Sequence, residues 1–415
     1  MINDLNNVFS EMAKRSKRSA IREILKLTQQ PDVISFAGGL PAPDSFPIED
    51  IRTITNQILK EDGATALQYD ATEGLIELRE TLVKMYQEHD VNCEIENLII
   101  TTASQQGLDL LGKVFIDPGD KVICGLPSYL GGISAFASYG ADMVGVPLDE
   151  NGMNAVELQK TLEEMKQNDE KPKFIYIIPD FQNPAGITMP ESRRLEIIDI
   201  AHTYDVLIVE DSPYREIRFE GKPQRLMYQL DKTGHVITLG TFSKIVAPGF
   251  RIGWVLAHPD INDKLVVAKQ SADLCTPTFV QKIAAKYMKS VNYEKNLNKT
   301  IELYHKRRDL MLDGFRKHMP KEVSWTEPEG GLFLFVTLPE YLDAEQLFHK
   351  AIKEKVAFVI GNVFFCNGEG KNTLRLNFSF VNDEKNIEGV KKLADVIQKE
   401  IALNTNKYTD KACTN

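Results

Sequence analysis

Short apolar runs recur through the middle of the chain, and most are continuous rather than alternating. Asn97–Thr102, Lys121–Cys124, Asp142–Val146, Phe174–Ile178, Val206–Val209, Val236–Leu239 and Arg251–Ala257 each read as a strand. Between them lie segments with helical periodicity, such as Leu75–Glu88, Ser104–Phe115 and Glu191–Tyr204. Continuous runs alternating with helices predict a mainly parallel sheet buried on both faces. After about residue 262 the texture changes. A long amphipathic helix is expected over Tyr293–Lys317, then strand Gly331–Thr337, helix Asp343–Glu354, strand Thr373–Ser379 and a last helix over roughly Glu384–Ala402. At the start, Ser19–Leu27 puts apolar residues on one helical face, with Ser19 suited to the N-cap. Val33–Ala37 then leads into a loop holding Gly38 and Gly39, which lets a ligand approach the backbone closely. No repeat of solenoid or propeller period is visible.

This pattern predicts an α/β fold: a large domain with a mainly parallel sheet between helices, plus a smaller α+β domain. The expected division is an N-terminal segment 1–50, a large domain 51–295, a small C-terminal domain 296–403 and a polar, flexible tail 404–415. A chain of 415 residues is long enough for such a core without disulfides or a structural metal.

Composition narrows the function. The net charge of −10 argues against a nucleic-acid groove. No stretch is apolar for long enough to span a membrane, and the N-terminus lacks a signal-peptide core. Five cysteines, none in a CxxC pair, suit a reducing compartment, so a cytoplasmic location is expected. Cys124 and Cys366 lie in apolar runs and read as reduced, buried thiols. The seven histidines are scattered with no HExxH, and no GxGxxG is present, so metal and dinucleotide chemistry find no support.

The candidate chemistry sits at the carboxyl ends of the strands, where ligands gather in doubly wound sheets. After Val236–Leu239 comes Thr241-Phe-Ser-Lys244, with Arg251 downstream. A lysine at the end of a buried strand is desolvated and becomes a usable amine nucleophile. Thr241, Ser243 and Arg251 are the residue types that hold a phosphate dianion. An amine beside a phosphate site points to pyridoxal 5'-phosphate (PLP). The other strand ends supply matching parts. Ser104 and Gln105 follow the first strand, where a helix N-terminus makes an anion site. Tyr129 follows the second and can stack on a ring. Asn183 and Tyr214 can donate to a phenolic oxygen. Asp211 can keep a pyridine nitrogen protonated, so that the ring acts as an electron sink.

Taken together, Ala103–Leu110, Gln182–Gly186, Glu210–Tyr214, Gly240–Lys244 with Pro248–Trp254, and Leu374–Ser379 resemble the class I/II aminotransferases of fold type I. Ser19–Leu27 with Ile34–Pro43 is similar to the subgroup of 2-aminoadipate (LysN-like), kynurenine and aromatic aminotransferases. The resemblance implies a transaminase that moves an amino group between an L-amino acid (2-aminoadipate, aromatic or branched-chain) and 2-oxoglutarate by a ping-pong mechanism. It implies that Lys244 is the Schiff-base lysine and general base, with Asp211 and Tyr129 as its catalytic companions. Ser104, Gln105, Thr241, Ser243 and Arg251 would hold the phosphate, while Asn183, Tyr214 and Tyr129 would contact the ring. Arg375, with Asn183 and the Gly39 loop, would bind the substrate carboxylate. Arg22 would be a mobile cation for the substrate side chain. Tyr69 would reach the phosphate of a neighbouring subunit, so that the active site lies at a homodimer interface.

Two positions depart from the family pattern. Thr241 stands where serine is more usual, which keeps the hydroxyl. Ile360-Gly361 stands where Pro-Gly is common, which loosens the inference about substrate there. Other fold type I enzymes, such as lyases and decarboxylases, remain the alternative. So does an aminotransferase-like effector sensor, although residues 1–70 match the enzyme's own N-terminal segment.

Overall fold

The structure, a computed structural model, describes residues 7–15 and 32–412, with side chains described as far as Asn404. The helix expected over Ser19–Leu27, Arg22 within it, and Cys413 lie outside the described residues. Chain order gives β1 (Ile34–Ser35), β2 (Leu98–Thr101), β3 (Lys121–Leu126), β4 (Asp142–Asp149) and β5 (Gly152–Met153). Then come β6 (Phe174–Ile177), β7 (Leu207–Asp211), β8 (Val236–Thr241) and β9 (Gly253–Leu256). Eight of these strands form one sheet in the order β2-β9-β8-β7-β6-β3-β4-β5. Strands β8, β7, β6, β3 and β4 are parallel to their neighbours in that run. Strand β9 is antiparallel to both β8 and β2, and β5 is antiparallel to β4.

The continuous apolar runs are explained by what covers the sheet. Successive side chains of a strand point to opposite faces, and here they enter two separate clusters. Ile123, Ile175, Ile208 and Val236 pack with Leu158, Leu162 and Ile197. Val122, Cys124, Phe174, Tyr176, Val209 and Leu239 pack on the other face with Leu108 and Leu111. Both faces are covered, so a polar side chain in these strands is costly without a partner. Each fully buried Val, Leu or Ile contributes about 1.5–3 kcal/mol.

The last predicted run, Arg251–Ala257, begins later than expected. Pro248–Phe250 forms a 3-10 turn and Arg251 takes a left-handed backbone (φ 49°), so the strand starts at Gly253. The helix predicted from Ser104 spans Ala103–Phe115, and Thr102 occupies its N-cap without a side-chain cap bond. Ser104 therefore lies inside the first turn. The Ile48–Ala66 helix is not legible in the pattern. Only Ile54, Ile58 and Ala66 of it are buried, and Asp62 breaks its helical dihedrals.

A second sheet contains β10 (Ser324–Trp325), β11 (Phe333–Thr337), β13 (Val359–Ile360) and β14 (Thr373–Asn377), all antiparallel, in the order β10-β11-β14-β13. Just before β13, β12 (Val356–Ala357) pairs in parallel with β1, so Ile34 lies opposite Val356. The entry segment is thereby tied to the C-terminal part of the chain. Gly361, which follows β13, is packed so tightly that a Cβ there would lie 1.9 Å from Thr373 Oγ1. The last helix, Asp383–Ala412, runs well past the expected end near Ala402. Residues 404–412 contain no glycine or proline to stop it. Among the described residues no helix is long and apolar enough to cross a membrane.

Candidate active site

The register of the large sheet brings three chain crossings together. Gly253, at the start of β9, is paired with Thr101 at the end of β2 and with Thr241 at the end of β8. The Ala103–Phe115 helix and the Lys244 loop therefore leave the sheet side by side. A Cβ on Gly253 would lie 2.5 Å from Ser104 N. Only a glycine lets the helix N-terminus sit this close to the strand. Ala103 makes the turn with a positive φ of 61°, a conformation that costs about 1–3 kcal/mol and tends to cluster at functional sites.

Lys244 donates from Nζ to the carbonyl of Gly39 at 2.7 Å. The residue as a whole is half-buried. Burial first, then the positive charges of Arg375 and Arg251, lower its pKa from the usual 10.5 to about 8. The amine is thus within reach of its neutral, nucleophilic form. Gly39, expected at the substrate, presents its carbonyl to the lysine.

Asp211, the last residue of β7, is 2% exposed. Its Oδ2 accepts from the Tyr176 hydroxyl at 2.9 Å, and its Oδ1 has no partner. Burial raises its carboxyl pKa from 3.8 to about 7. A buried carboxylate oxygen without a donor is costly, and a cationic N–H placed there would both satisfy it and restore its charge. Asn183 Nδ2 donates to the Tyr214 hydroxyl at 3.2 Å. Burial holds Tyr214 well above the usual tyrosine range, so it stays a neutral donor. Tyr129 is half-buried, with its hydroxyl 3.4 Å from Gln105 Oε1.

On the anion side, Thr241 Oγ1 lies 2.9 Å from Ser243 Oγ and 3.0 Å from the Ile252 carbonyl. It also accepts from the Ser243 backbone N–H at 3.1 Å. Gln105 Nε2 donates to the Gly131 carbonyl at 3.0 Å. Arg251 is exposed and donates to the Pro248 carbonyl at 3.3 Å.

Arg375 comes from the other sheet, on β14, and is 2% exposed. Its Nη1 donates to Asn183 Oδ1 at 2.8 Å and its Nη2 to the Ala37 carbonyl at 3.1 Å. Nε has no partner. The guanidinium lies between two rings, 4.1 Å from the centroid of Phe333 and 5.0 Å from that of Phe364. Burial lowers its pKa from 12.5 to about 10. A buried cation held only by neutral acceptors and ring faces is set up to receive an anion. Of the other expected residues, Tyr69 is 78% exposed on the single chain, and Arg22 lies outside the described residues.

The family described as aminotransferase class I and II matches residues 31–393. The chain belongs to this family. This aminotransferase is 48% identical to aromatic-amino-acid aminotransferase 1 of Thermococcus litoralis, over 96% of each chain. Kynurenine aminotransferase of Pyrococcus horikoshii, solved in complex with PMP, superposes with a TM-score of 0.93 at 44% identity, covering 96% of this chain and 99% of that one. LysN, the α-aminoadipate aminotransferase of Thermus thermophilus, was solved with N-(5'-phosphopyridoxyl)-L-leucine. It matches with a TM-score of 0.90 at 38% identity, covering 96% of this chain and 100% of that one.

In this aminotransferase the candidate site is also shaped by residues that sequence reasoning passes over. Tyr176 reads as a core residue of its strand, yet its hydroxyl fixes Asp211. A Cβ on Gly132 would lie 2.6 Å from the Tyr176 ring, and one on Gly131 would lie 2.4 Å from the Tyr129 ring, so the Gly131-Gly132 pair is a signal for two close approaches. Phe333 and Phe364, which sandwich Arg375, are indistinguishable in sequence from core phenylalanines. The unpartnered Asp211 Oδ1, the buried Lys244 amine and the helix N-terminus beside Gly253 fit a pyridine ring, an aldehyde and a phosphate respectively.

Proposed function

We propose that this aminotransferase uses PLP to move an amino group between an L-amino acid and 2-oxoglutarate, with 2-aminoadipate, aromatic and branched-chain amino acids as its substrate range. The observation that carries the reading is Asp211 Oδ1, buried and without a donor, in the same cleft as a lysine with a pKa of about 8. When bound, the cofactor supplies an aldehyde to capture the amine and a ring to take up the electrons of the Cα–H bond. Lys244 would hold the cofactor at its aldehyde and, once free, carry the α-proton as general base. Asp211, oriented by Tyr176, would hold the ring nitrogen protonated. Asn183 and Tyr214 would donate to the phenolic oxygen, and Tyr129 would cover the ring. Ser104, Gln105, Thr241, Ser243 and Arg251 would take the phosphate. Arg375, backed by Phe333 and Phe364, would grip the substrate α-carboxylate and orient its Cα–H toward Lys244 Nζ.

The same reading makes the molecule a homodimer in which Tyr69 reaches the partner's phosphate site. High exposure of Tyr69 on the single chain supports this. Arg22 would serve as the cation for acidic substrate side chains, and Gly39 would line the substrate side of the cleft. Residues 51–295 would act as the large domain and 296–403 as the small one. Residues 1–50 would join the small domain to the site. The eight-stranded sheet, the four-stranded sheet and the β1–β12 pairing support that division. A cytoplasmic location is consistent with the free thiols of the described cysteines.

The test is a spectrum followed by a substrate panel. Adding glutamate alone to the PLP-loaded protein should convert the aldehyde form of the cofactor to the amine form, and adding an oxo acid should reverse it. An unchanged spectrum with glutamate and every amino acid of the panel would remove the transaminase reading. In Arg22→Ala, 2-aminoadipate turnover should fall while leucine turnover holds; equal losses would remove the role of Arg22.

A further inference from the structure

Two thiols that the chemistry above does not use meet beside the carboxylate site. Cys124 lies in β3 and is fully buried. Cys366 follows the turn that ends in Phe364 and is half-buried rather than buried as its apolar surroundings suggest, so it is the less enclosed of the pair. Their sulfurs are 3.9 Å apart, with Cys124 Sγ–H donating to Cys366. That donation lowers the pKa of Cys366, and the same contact together with burial raises that of Cys124. The half-buried member is thus the more acidic of the two, and the enclosed member the less. This is the division of labour between an attacking and a resolving thiol.

We propose that Cys124 and Cys366 are a modification site: an oxidisable dithiol whose disulfide joins the large sheet to the segment between β13 and β14 and weakens carboxylate binding at Arg375. The chemistry balances with hydrogen peroxide as oxidant. The Cys366 thiolate attacks one peroxide oxygen and breaks the O–O bond, leaving a sulfenic acid and hydroxide, which takes the proton that Cys366 released on ionising. The Cys124 sulfur then attacks the Cys366 sulfur, forming the S–S bond, while its proton leaves with the sulfenic hydroxyl as water. Two thiols are oxidised by two electrons in all, and one hydrogen peroxide becomes two waters.

The effect on the site follows from position. A disulfide requires the sulfurs to close to about 2.05 Å, which draws the turn after Phe364 toward β3. Phe364 forms one wall of the Arg375 sandwich at 5.0 Å. Its carbonyl also accepts from the backbone N–H of Ser128, the residue before Tyr129. Shifting this turn moves both the backing of the guanidinium and the approach to Tyr129. Cys93 and Cys275 are free thiols with no sulfur partner among the described residues, so they serve as internal controls.

The activity readout rests on the transaminase reading, whereas the cross-link itself does not. The PLP-loaded protein is treated with a few equivalents of hydrogen peroxide, quenched and digested without reduction. Mass spectrometry should find a peptide pair joined through Cys124 and Cys366 that dithiothreitol separates. KM for the amino acid should rise at least about 5-fold, with kcat changed less, and reduction should restore it. Cys366→Ser should show neither the cross-link nor the KM shift, while keeping the reduced enzyme's rates. Oxidation that stops at sulfinic acid on Cys366, or a disulfide confined to other cysteines, overturns the proposal. A Cys124–Cys366 cross-link with unaltered KM overturns its link to the carboxylate site and leaves the transaminase reading intact.

Discussion

Replacing Asp211 with asparagine should stabilise the cofactor-free protein while disabling the enzyme. Burial raises the Asp211 carboxyl from 3.8 to about 7. At 1.36 kcal/mol per pKa unit this is a penalty of about 4 kcal/mol on the charged form. The sign follows from proton binding. Between pH 4 and 7 the native chain keeps a proton at Asp211 that the unfolded chain has released, so stability falls as pH rises through this window. Above pH 7 the full penalty is present. The substituted side chain carries no charge, but its amide faces the position where Oδ1 had no partner, an unsatisfied-group cost of about 1–3 kcal/mol. The net gain in D211N is then about 1–3 kcal/mol at pH 8.5. At pH 4.5, where Asp211 is protonated, the gain should vanish. Urea unfolding of both cofactor-free proteins at several pH values measures this directly. Glu210 and Glu216 are also raised by burial, so the slope of either protein alone is not diagnostic; the difference between them is. A wild-type minus D211N difference that does not change between pH 4.5 and 8.5 would refute the reasoning. In the PLP-loaded protein the order should reverse, because a cationic ring N–H opposite Asp211 favours its charged form.

Four further outcomes are expected. Lys244→Ala should leave no measurable transamination with the fold intact by circular dichroism; separately, the rate at which the cofactor-free wild type captures PLP should climb with pH and level off near 8, not near 10.5, since only the neutral amine attacks. Arg375→Lys loses the planar fork between Phe333 and Phe364, so kcat/KM should fall about 10–100-fold, mostly through KM, corresponding to about 1.5–3 kcal/mol for a charged hydrogen bond; unchanged steady-state constants would separate Arg375 from carboxylate binding. Gly361→Ala must displace Thr373, whose Oγ1 would be 1.9 Å from the new methyl group, and should cost about 1–3 kcal/mol in urea unfolding.

The parts of the site that are legible in sequence share a cause. Lys244, Asp211, Asn183 and Ser104 all follow continuous apolar runs, and a parallel sheet places every such end on the same edge. What stays hidden depends on contacts between distant segments. Nothing in its own strand marks Tyr176 as more than core, because its hydroxyl acts only through Asp211 one strand over. Phe333 and Phe364 gain a role only because β11 and the turn before Cys366 fold against β14. Cys366 reads as buried because its neighbours are apolar, while the turn before it leaves it half open. The Ile48–Ala66 helix escapes notice because so few of its residues face the core.

Strand β9 runs against its neighbours, and this has a consequence for how the enzyme can vary. The loop that carries Lys244 leaves through Thr241 and returns through Gly253, which are ladder partners. The next pair inward is also fastened, with the Phe242 N–H on the Ile252 carbonyl at 3.1 Å. The loop is therefore a closed noose with a fixed mouth, and Gly253 has no room for a side chain against Ser104. Insertions here cannot be taken up by sliding, as they could in a crossover between parallel strands. New substrates must be accommodated from the opposite wall, where Arg375, Phe333 and the Gly39 segment meet. The catalytic half of the cleft is held rigid by its own topology, and adaptation is left to the other half.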